Sequence, residues 1–405
     1  MSWPPTRAAG LERLEAFLPH AGDRYRRLRN FDFGADDRTN VSGLSPYLRC
    51  RLVREDEVLA AVLGRFAPST AEKFIQEVYW RSYWKGWLEH HPSVWPDYLE
   101  QVRSLLAGTA ADDALALRYQ AATAGETGIA VFDAWARELT GTGYLHNHAR
   151  MWFASIWIFT LKLPWQLGAD FFLRHLLDGD PASNTLSWRW VAGLHTPGKH
   201  YLARPDNIGR FAARRVELSG ADGLELLDTA ASALEEQAAP PRIVPDWPSA
   251  TLPAGGGRVG LLLGEDDLDL DLGVRPVAVA ALPGAPRSPL PTGDAAAAFT
   301  AGAIDDALTR GRQRWGLGRA DLLSLRAEDA LAWARRESLD AVVACYAPVG
   351  PGADARARVR ALLAQAGVPV HEVLRSHDRD AWPRATRGFF RLKKHIPALL
   401  GRLSR

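Results

Sequence analysis

Between Thr142 and Trp190 an apolar, aromatic-rich run is interrupted at fixed intervals by polar side chains, and this stretch constrains the fold more than any other. In Thr142-Gly-Tyr-Leu-His-Asn-His-Ala-Arg-Met-Trp152, the residues Asn147, Arg150 and Met151 fall at offsets of three and four. On a helix they share a face. Asp178-Gly-Asp-Pro-Ala-Ser-Asn-Thr-Leu-Ser-Trp188 does the same for Asp180, Asn184 and Trp188. Polar groups carried into apolar surroundings must find partners, and a flat, heteroatom-rich ligand held between two helices is one way to supply them.

Composition sets the limits around that core. A chain of 405 residues that is 47% hydrophobic can bury two cores, so two domains are expected. With a net charge of +2, nucleic-acid binding would have to be local, through clustered Lys and Arg. Cys50 and Cys345 are too far apart in sequence for a disulfide framework or a thiolate metal site to be expected, which suits a reducing cytoplasm. Met1 to Arg7 carries no apolar signal core, and the apolar run from Trp152 to Trp165 is broken by Lys162 and Pro164, so no export or membrane segment is expected.

Residues 10 to 29 have helical apolar spacing, with Leu11, Leu14, Phe17 and Leu18 in phase. After a polar loop come Tyr25-Arg-Arg-Leu-Arg-Asn-Phe31 and Thr39-Asn-Val-Ser-Gly-Leu-Ser-Pro-Tyr-Leu48. Hydroxyls and free N–H groups at such a turn can cradle phosphate, or Ser42 and Ser45 serve only as turn and cap residues. Ser69-Thr-Ala-Glu72 reads as a capping box opening a helix to about His91. Along it Phe74, Glu77, Arg81 and Trp84 recur at offsets of three and four, with Trp80 adjacent; by itself this is also the pattern of an amphipathic core helix with a satisfied Glu.

Together these segments resemble the FAD-binding helical domain of the DNA photolyases and cryptochromes. The carrying motifs are Thr-Gly, His-Asn, Arg-Met, Asp-Gly-Asp, Asn and Trp at preserved spacing, with Gly125-Glu-Thr-Gly128 and Phe132-Asp-Ala-Trp135 ahead of them. The resemblance implies that FAD is bound by Tyr25, Thr39, Ser42, Leu44, Ser45, Phe74, Arg81, Asn147, Arg150, Asp178, Asp180 and Asn184. Asp178 would pair with Arg150, Asp180 would hydrogen-bond the flavin ring, and Asn184 would lie beside its N5. Glu77 would hydrogen-bond damaged bases, with Trp80, Asn147 and Met151 around them. Trp188 and Trp165 match the first two members of an electron-transfer chain. Its third Trp would fall near Asp112, where none stands, so the exit would run through Tyr119 or another Trp. Phe74 and Ser82 depart from the family's Trp and Glu, Val41 stands where a Thr is expected, and His148 stands where an Arg near DNA phosphate is common. His146 is expected to be structural. Met151 can equally be a core gap-filler.

Lys199, Arg204, Arg210, Arg214 and Arg215 offer a phosphate-tracking patch or a solvated surface. From about 217 to 256 the composition turns to Ala, Pro and Gly and reads as a helix and linker, so the domain limits are expected at 1–216 and 257–405. Beyond, short apolar runs at 259–263, 277–281, 322–325, 341–346 and 368–373 alternate with helices near 294–314, 327–337 and 353–366. This is the pattern of a Rossmann-like α/β domain with a parallel sheet of about five strands. It resembles the family's antenna domain, placed second here rather than first. A second, antenna chromophore cannot be named. The final Trp382-Pro-Arg-Ala-Thr-Arg-Gly-Phe-Phe-Arg-Leu-Lys-Lys-His-Ile-Pro397 is basic, suited to docking on the helical domain or touching DNA.

The expected protein is thus an all-helical FAD domain followed by an α/β domain, a deoxyribodipyrimidine photolyase acting on UV-damaged DNA, single-stranded or duplex. No membrane and no obligate protein partner are inferred. A cryptochrome-like photoreceptor without repair activity is the alternative, and a helical interaction module that has lost its cofactor a third.

Overall fold

The computed structural model describes residues 3–109, 111–236, 238–249, 252–253 and 257–403. The first half is helical: α1 (Arg7–Phe17), α2 (Asp23–Leu28), α3 (Ser45–Arg49), α4 (Glu55–Leu63), α5 (Glu72–His90), α6 (Val94–Thr109) and α7 (Asp113–Ala124) lead to the centre. The centre itself is α8 (Ala130–Thr142), α9 (Asn147–Ser155), α10 (Trp165–His175) and α11 (Pro181–Ala192), with α12 (Pro205–Phe211) and α13 (Ala213–Ser219) following. A π-helical turn, Ile156–Thr160, continues α9.

Local chemistry sets the helix ends. Asp180 caps α11, its carboxylate accepting from the Ser183 N–H at 2.8 Å, with Pro181 in the first turn and Gly193 in the left-handed conformation beyond the end. The capping box expected at Ser69 is not formed: α5 starts at Glu72 behind Ala71, with no side-chain cap. What holds α5 is tertiary, since it is buried on nearly every side. Two close contacts of the helical half depend on glycine. A Cβ on Gly86 would stand 2.7 Å from Trp382 Cα, and one on Gly168 of α10 2.4 Å from the Trp188 ring.

Residues 217–256 depart from the expected helix and linker. After the last turn of α13, which ends at Ser219, only Leu224–Leu226 form a short 3-10 turn, and the described remainder has no helix or strand and lies along the helical half, with Leu234 N–H donating to Ala192 O and Ile243 N–H to His90 O. Side chains sustain this path, such as Trp247 Nε1 on Glu89 at 3.2 Å. The Gly-rich linker at 254–256 lies outside the described residues.

The second half is a five-stranded parallel sheet ordered β3-β2-β1-β4-β5, with β1 (Val259–Leu263), β2 (Ala278–Ala281), β3 (Asp321–Leu322), β4 (Ala341–Cys345) and β5 (Val370–Val373). Strands β1 and β4 are covered on both faces, which is why their sequences are continuous apolar runs rather than alternating ones. Helices α14 (Asp294–Trp315), α15 (Ala327–Arg336) and α16 (Pro351–Gln365) are the crossovers. The chain ends in α17 (Ser376–Ala381), α18 (Phe389–Lys393) and α19 (Ile396–Leu403), which lie back on α4 and α5. One face of the sheet, through Leu261, Leu263 and Val343, shares a core with the helical half; the other packs Trp333 and Leu363. Among the described residues no helix is long and apolar enough to cross a membrane.

The halves are joined by buried charge. Arg51 meets Glu55 at 3.1 Å, Asp267 at 3.1 Å and Asp378 at 2.5 Å. Arg375 forks onto Asp267 at 2.6 and 2.7 Å. Burial alone would raise the Asp267 carboxyl, but Arg375 and Arg51 overcome it and hold it at about 2. Arg51 sits at φ 50, in the left-handed region a side chain enters only when its surroundings over-determine it.

Candidate functional site

The candidate cleft is the part of the helical half where α2 packs on α5 and both α5 and α9 pack on α11. Its ion pairs are only partly covered. Arg29 Nη1 meets Glu77 Oε1 at 2.9 Å, their side chains 29% and 33% exposed. Packing pushes the Glu77 carboxyl above its ordinary value, Arg29 opposing, and solvent reaching a third of the side chain damps the shift. Opposite, Arg150 forks onto Asp178 at 3.0 and 2.9 Å and donates to Leu145 O at 2.8 Å. Tyr144 lies under Arg150 and Arg38 and is itself stacked by Trp3, ring centres 4.8 Å apart. Phe74 packs between Phe17 and Tyr25, each 5.2 Å away.

Asn184 supplies the observation most relevant to a flavin. Its Nδ2 donates to Ala169 O at 2.8 Å, and among the described residues its Oδ1 has no donor. That leaves a neutral acceptor on a largely buried amide. A reduced flavin carries an N–H at N5 that can fill it, and a fixed guanidinium–carboxylate pair such as Arg150–Asp178 can sit beside an anionic ring without either ion being unpaired. Asn147 is exposed and Met151 half-buried, both on α9. Ser42 Oγ accepts from Leu44 N–H at 3.3 Å across Gly43, which takes φ 60, and Ser45 opens α3. The residues present fit FAD in kind: aromatic rings, the hydroxyls of Ser42 and Ser45, the free Asn184 oxygen and the Arg29–Glu77 and Arg150–Asp178 pairs lie within the helical half.

Four expected roles are revised by the surroundings. Asp180, 1% exposed, faces Lys85 at 3.0 Å and Arg81 at 3.6 Å besides capping α11, so it is committed to the protein rather than open to a flavin. Burial would raise its carboxyl; Lys85, Arg81 and Arg49 drive it well below the usual range. Arg81 donates to Glu55 at 3.2 Å and Arg49 O at 3.2 Å, joining the charged interface between the halves. Thr39 is exposed and spends both its N–H and its hydroxyl on Asp37, whose negative charge would repel a phosphate. Leu44 is 1% exposed and belongs to the core.

The aromatic path also differs. The rings beside Trp188 are Phe153, Trp157 and Phe172 among the described residues, whereas Trp165 stacks on Tyr98 at 5.8 Å. From Trp188, Trp157 is 6.2 Å away and Tyr119, half-buried, a further 6.0 Å. Trp157, which no motif singled out, therefore links Trp188 to the Tyr119 named as an exit.

Outside the cleft, His148 is tied to Asn30 O at 2.9 Å and stacked on Trp152 at 4.1 Å, not presented as a phosphate contact. His146 is buried, its Nδ1 accepting from His148 N–H; burial lowers its pKa to about 4 against the pull of Asp32. Arg215 is buried between Glu138 and Asp32, so it leaves the proposed basic patch. Trp80 lies face to face with Phe389, 3.7 Å between centres and 11° between planes. The basic C-terminal segment thus docks on the helical half.

Sequence reasoning passed over Arg29, Lys85 and Phe389. Arg29 lay inside a quoted motif. Lys85 stood four residues after Arg81 on a helix too aromatic to leave a cation unpaired. Phe389 carried no local signal, because its contact spans most of the chain.

Residues 74–214 match the family model for the FAD binding domain of DNA photolyase. The deoxyribodipyrimidine photo-lyase of Alkalihalophilus pseudofirmus is 31% identical over 194 residues, covering 47% of this chain and 39% of the relative. That of Agrobacterium fabrum is 33% identical over 198 residues, again 47% and 39%, and that of Thermus thermophilus 34% over 198 residues, 49% and 45%. The match thus spans less than half the length of these curated relatives. A solved bacterial class III photolyase from Agrobacterium tumefaciens is 28% identical with a TM-score of 0.44, covering 54% of this chain and 45% of that one. Within its helical half, over residues 74–214, this chain is similar to the FAD binding domain of DNA photolyase.

Proposed function

We propose that the chain is a light-driven repair enzyme for cyclobutane pyrimidine dimers in DNA, with FAD held in the cleft. What supports the reading is that Glu77, three residues before Trp80 on α5, pairs with Arg29 at 2.9 Å in the same helical half as the Arg150–Asp178 pair and Asn184. Bound in reduced form, FAD would supply light-driven one-electron chemistry to the dimer. The protein's part is placement. Arg150–Asp178 keeps a compensated positive charge in the cleft, and Asn184 offers Oδ1 to a proton-bearing nitrogen without adding negative charge. Glu77, oriented by Arg29, offers its carboxyl to the edge of a flipped-out base, where a carboxylate can accept from a base N–H. Asp180 does not touch the ligand in this reading; it anchors the start of α11, and so Asn184, through Lys85 and Arg81. The two unpaired, buried thiols suit a cytoplasmic setting.

One observation favours a second reading, a photoreceptor without repair: Phe389 covers one face of Trp80, a residue the repair reading assigns to the dimer pocket. The test is to reduce the purified protein, confirm bound flavin by absorbance, and follow a dimer-containing oligonucleotide in blue light and in darkness. Light-dependent loss of the dimer is expected, reduced about 10-fold or more in Glu77→Ala at unchanged flavin content, the size of one lost charge-assisted contact. No repair with reduced flavin bound would favour the photoreceptor, and equal loss of flavin in Glu77→Ala would make Glu77 a scaffold residue.

A further inference from the structure

The last segment of the α/β half carries a concentrated charge that the rest of the chain does not. Residues 381–405 contain seven Lys and Arg and no Asp or Glu, in a protein whose totals are 49 and 47. Three of these cations are committed: Lys393 to Glu72 at 3.0 Å, Arg402 to Asp380, and Arg384 to the Asp380 carbonyl. Arg387, Arg391 and Lys394 are exposed and have no ion-pair partner among the described residues. On α18 and its C-terminal cap, Phe390, Arg391 and Lys394 fall at offsets of three and four and share a side, with Arg387 just ahead.

In the middle of these cations stands Phe390, 74% exposed, while its neighbour Phe389 is buried against Trp80. An exposed ring is costly to leave in water and here is ringed by positive charge. The rest of the segment hides its apolar groups: Leu392, Ile396, Leu399 and Leu400 are all buried. One exposed ring among uncommitted cations is a poor membrane anchor, since no apolar face is left to enter lipid. It suits a chain that alternates phosphates with flat bases.

We propose that Arg387, Phe390, Arg391 and Lys394 form a single-stranded nucleic-acid docking surface at the rim of the cleft, with Phe390 stacking on a base and the three cations on phosphates. Because Phe389 of the same helix lies on Trp80, and Lys393 pairs with Glu72 of α5, this surface borders the Lys73, Glu77 and Trp80 side of the cleft. It rests on the reading that the cleft serves DNA, and it adds that the α/β half supplies part of the grip.

The test uses the full chain and a fluorescent, undamaged oligothymidine, followed by anisotropy across a salt series. Phe390→Ala should weaken binding by about 5-fold or more, as expected for one lost stack, with the salt dependence unchanged. Arg387→Gln, Arg391→Gln and Lys394→Gln combined should flatten the slope of log affinity against log salt by about 2, the value for three phosphate contacts on a single strand. All four residues are exposed, so thermal unfolding and flavin content should stay as in the parent chain. Parent-like binding by both variants overturns the proposal, as does an absence of binding by the parent. So does binding of phosphatidylserine vesicles that the same variants abolish while oligothymidine binding persists. Dimer loss in light on the same samples separates the two readings: docking without repair would leave this surface standing and remove the repair function, whereas repair that is indifferent to the variants at limiting DNA would remove this surface alone.

Discussion

Two sets of charged residues meet α5, one through Glu77 and the other through Arg81, and they are finished differently. At the junction of the halves Arg51, Glu55, Asp267, Arg375 and Asp378 are almost fully buried, and each charge is answered by another from the protein. At the cleft, Arg29–Glu77 and Arg150–Asp178 are each a single pair with solvent on one side, and the Asn184 amide is half used. Buried ions demand saturation, because a lone charge in low dielectric is costly. A cleft that keeps unsaturated polar groups beside such a network has capacity left for a ligand. The boundary between the two runs through α5: Glu77 faces the cleft, while Arg81 and Lys85, one and two turns on, turn to the junction.

The largest effect is expected where saturation is broken. Arg51→Met leaves the buried Asp378 without the cation that faces it, and Glu55 and Asp267 with Arg81 and Arg375 alone, and should cost about 3–5 kcal/mol of unfolding free energy in denaturant titration. A loss below about 1 kcal/mol, the range of exposed pairs, would place the junction among ordinary surface charges. Acid should then separate the buried imidazoles of the helical half from the junction by pH. Burial lowers His146 to about 4 and His195 to about 3 from 6.5, so the folded state excludes their protons. Their stabilisation is complete above pH 6.5 and is lost as pH falls through the window below it, by about 2 kcal/mol for each between pH 7 and 5. The depressed carboxylates of the junction, Asp267 among them, keep their contribution until pH falls below about 4. Equal unfolding free energies at pH 7 and 5 would contradict the first window. The smallest effect on stability concerns the aromatic path: Trp157→Phe keeps an apolar ring and should cost about 1–2 kcal/mol. It should nevertheless slow photoreduction of bound flavin several-fold more than Trp165→Phe does, and the reverse ranking in flash absorbance would restore Trp165 as the second member.

Legibility in the sequence follows the same division. The parallel sheet was readable because β1 and β4, covered on both faces, carry uninterrupted apolar runs, and α9 and α11 because their polar faces recur at helical spacing. The polar identities in the cleft were readable too, since motifs fix which residue stands where. What they could not fix was how each side chain is spent. Asp180 and Arg81 fit a ligand-binding pattern until Lys85, Arg49 and Glu55 are brought to them by tertiary packing. Thr39 fits a phosphate turn until Asp37 is seen to hold it. The segment at 217–256 looked helical from its Ala content, but it gains its bonds from edges of the helical half that no local pattern announces.

The most direct measurement is bound FAD per chain in the purified protein and in Arg150→Leu, with unfolding free energy recorded on both. The parent should carry close to one FAD. Arg150→Leu should lose affinity about 10-fold or more while its stability changes by no more than about 1–2 kcal/mol, because the pair it breaks is partly exposed. A folded parent that takes up no FAD, or an Arg150→Leu chain that binds it as tightly as the parent, would contradict the assignment of this cleft to the flavin.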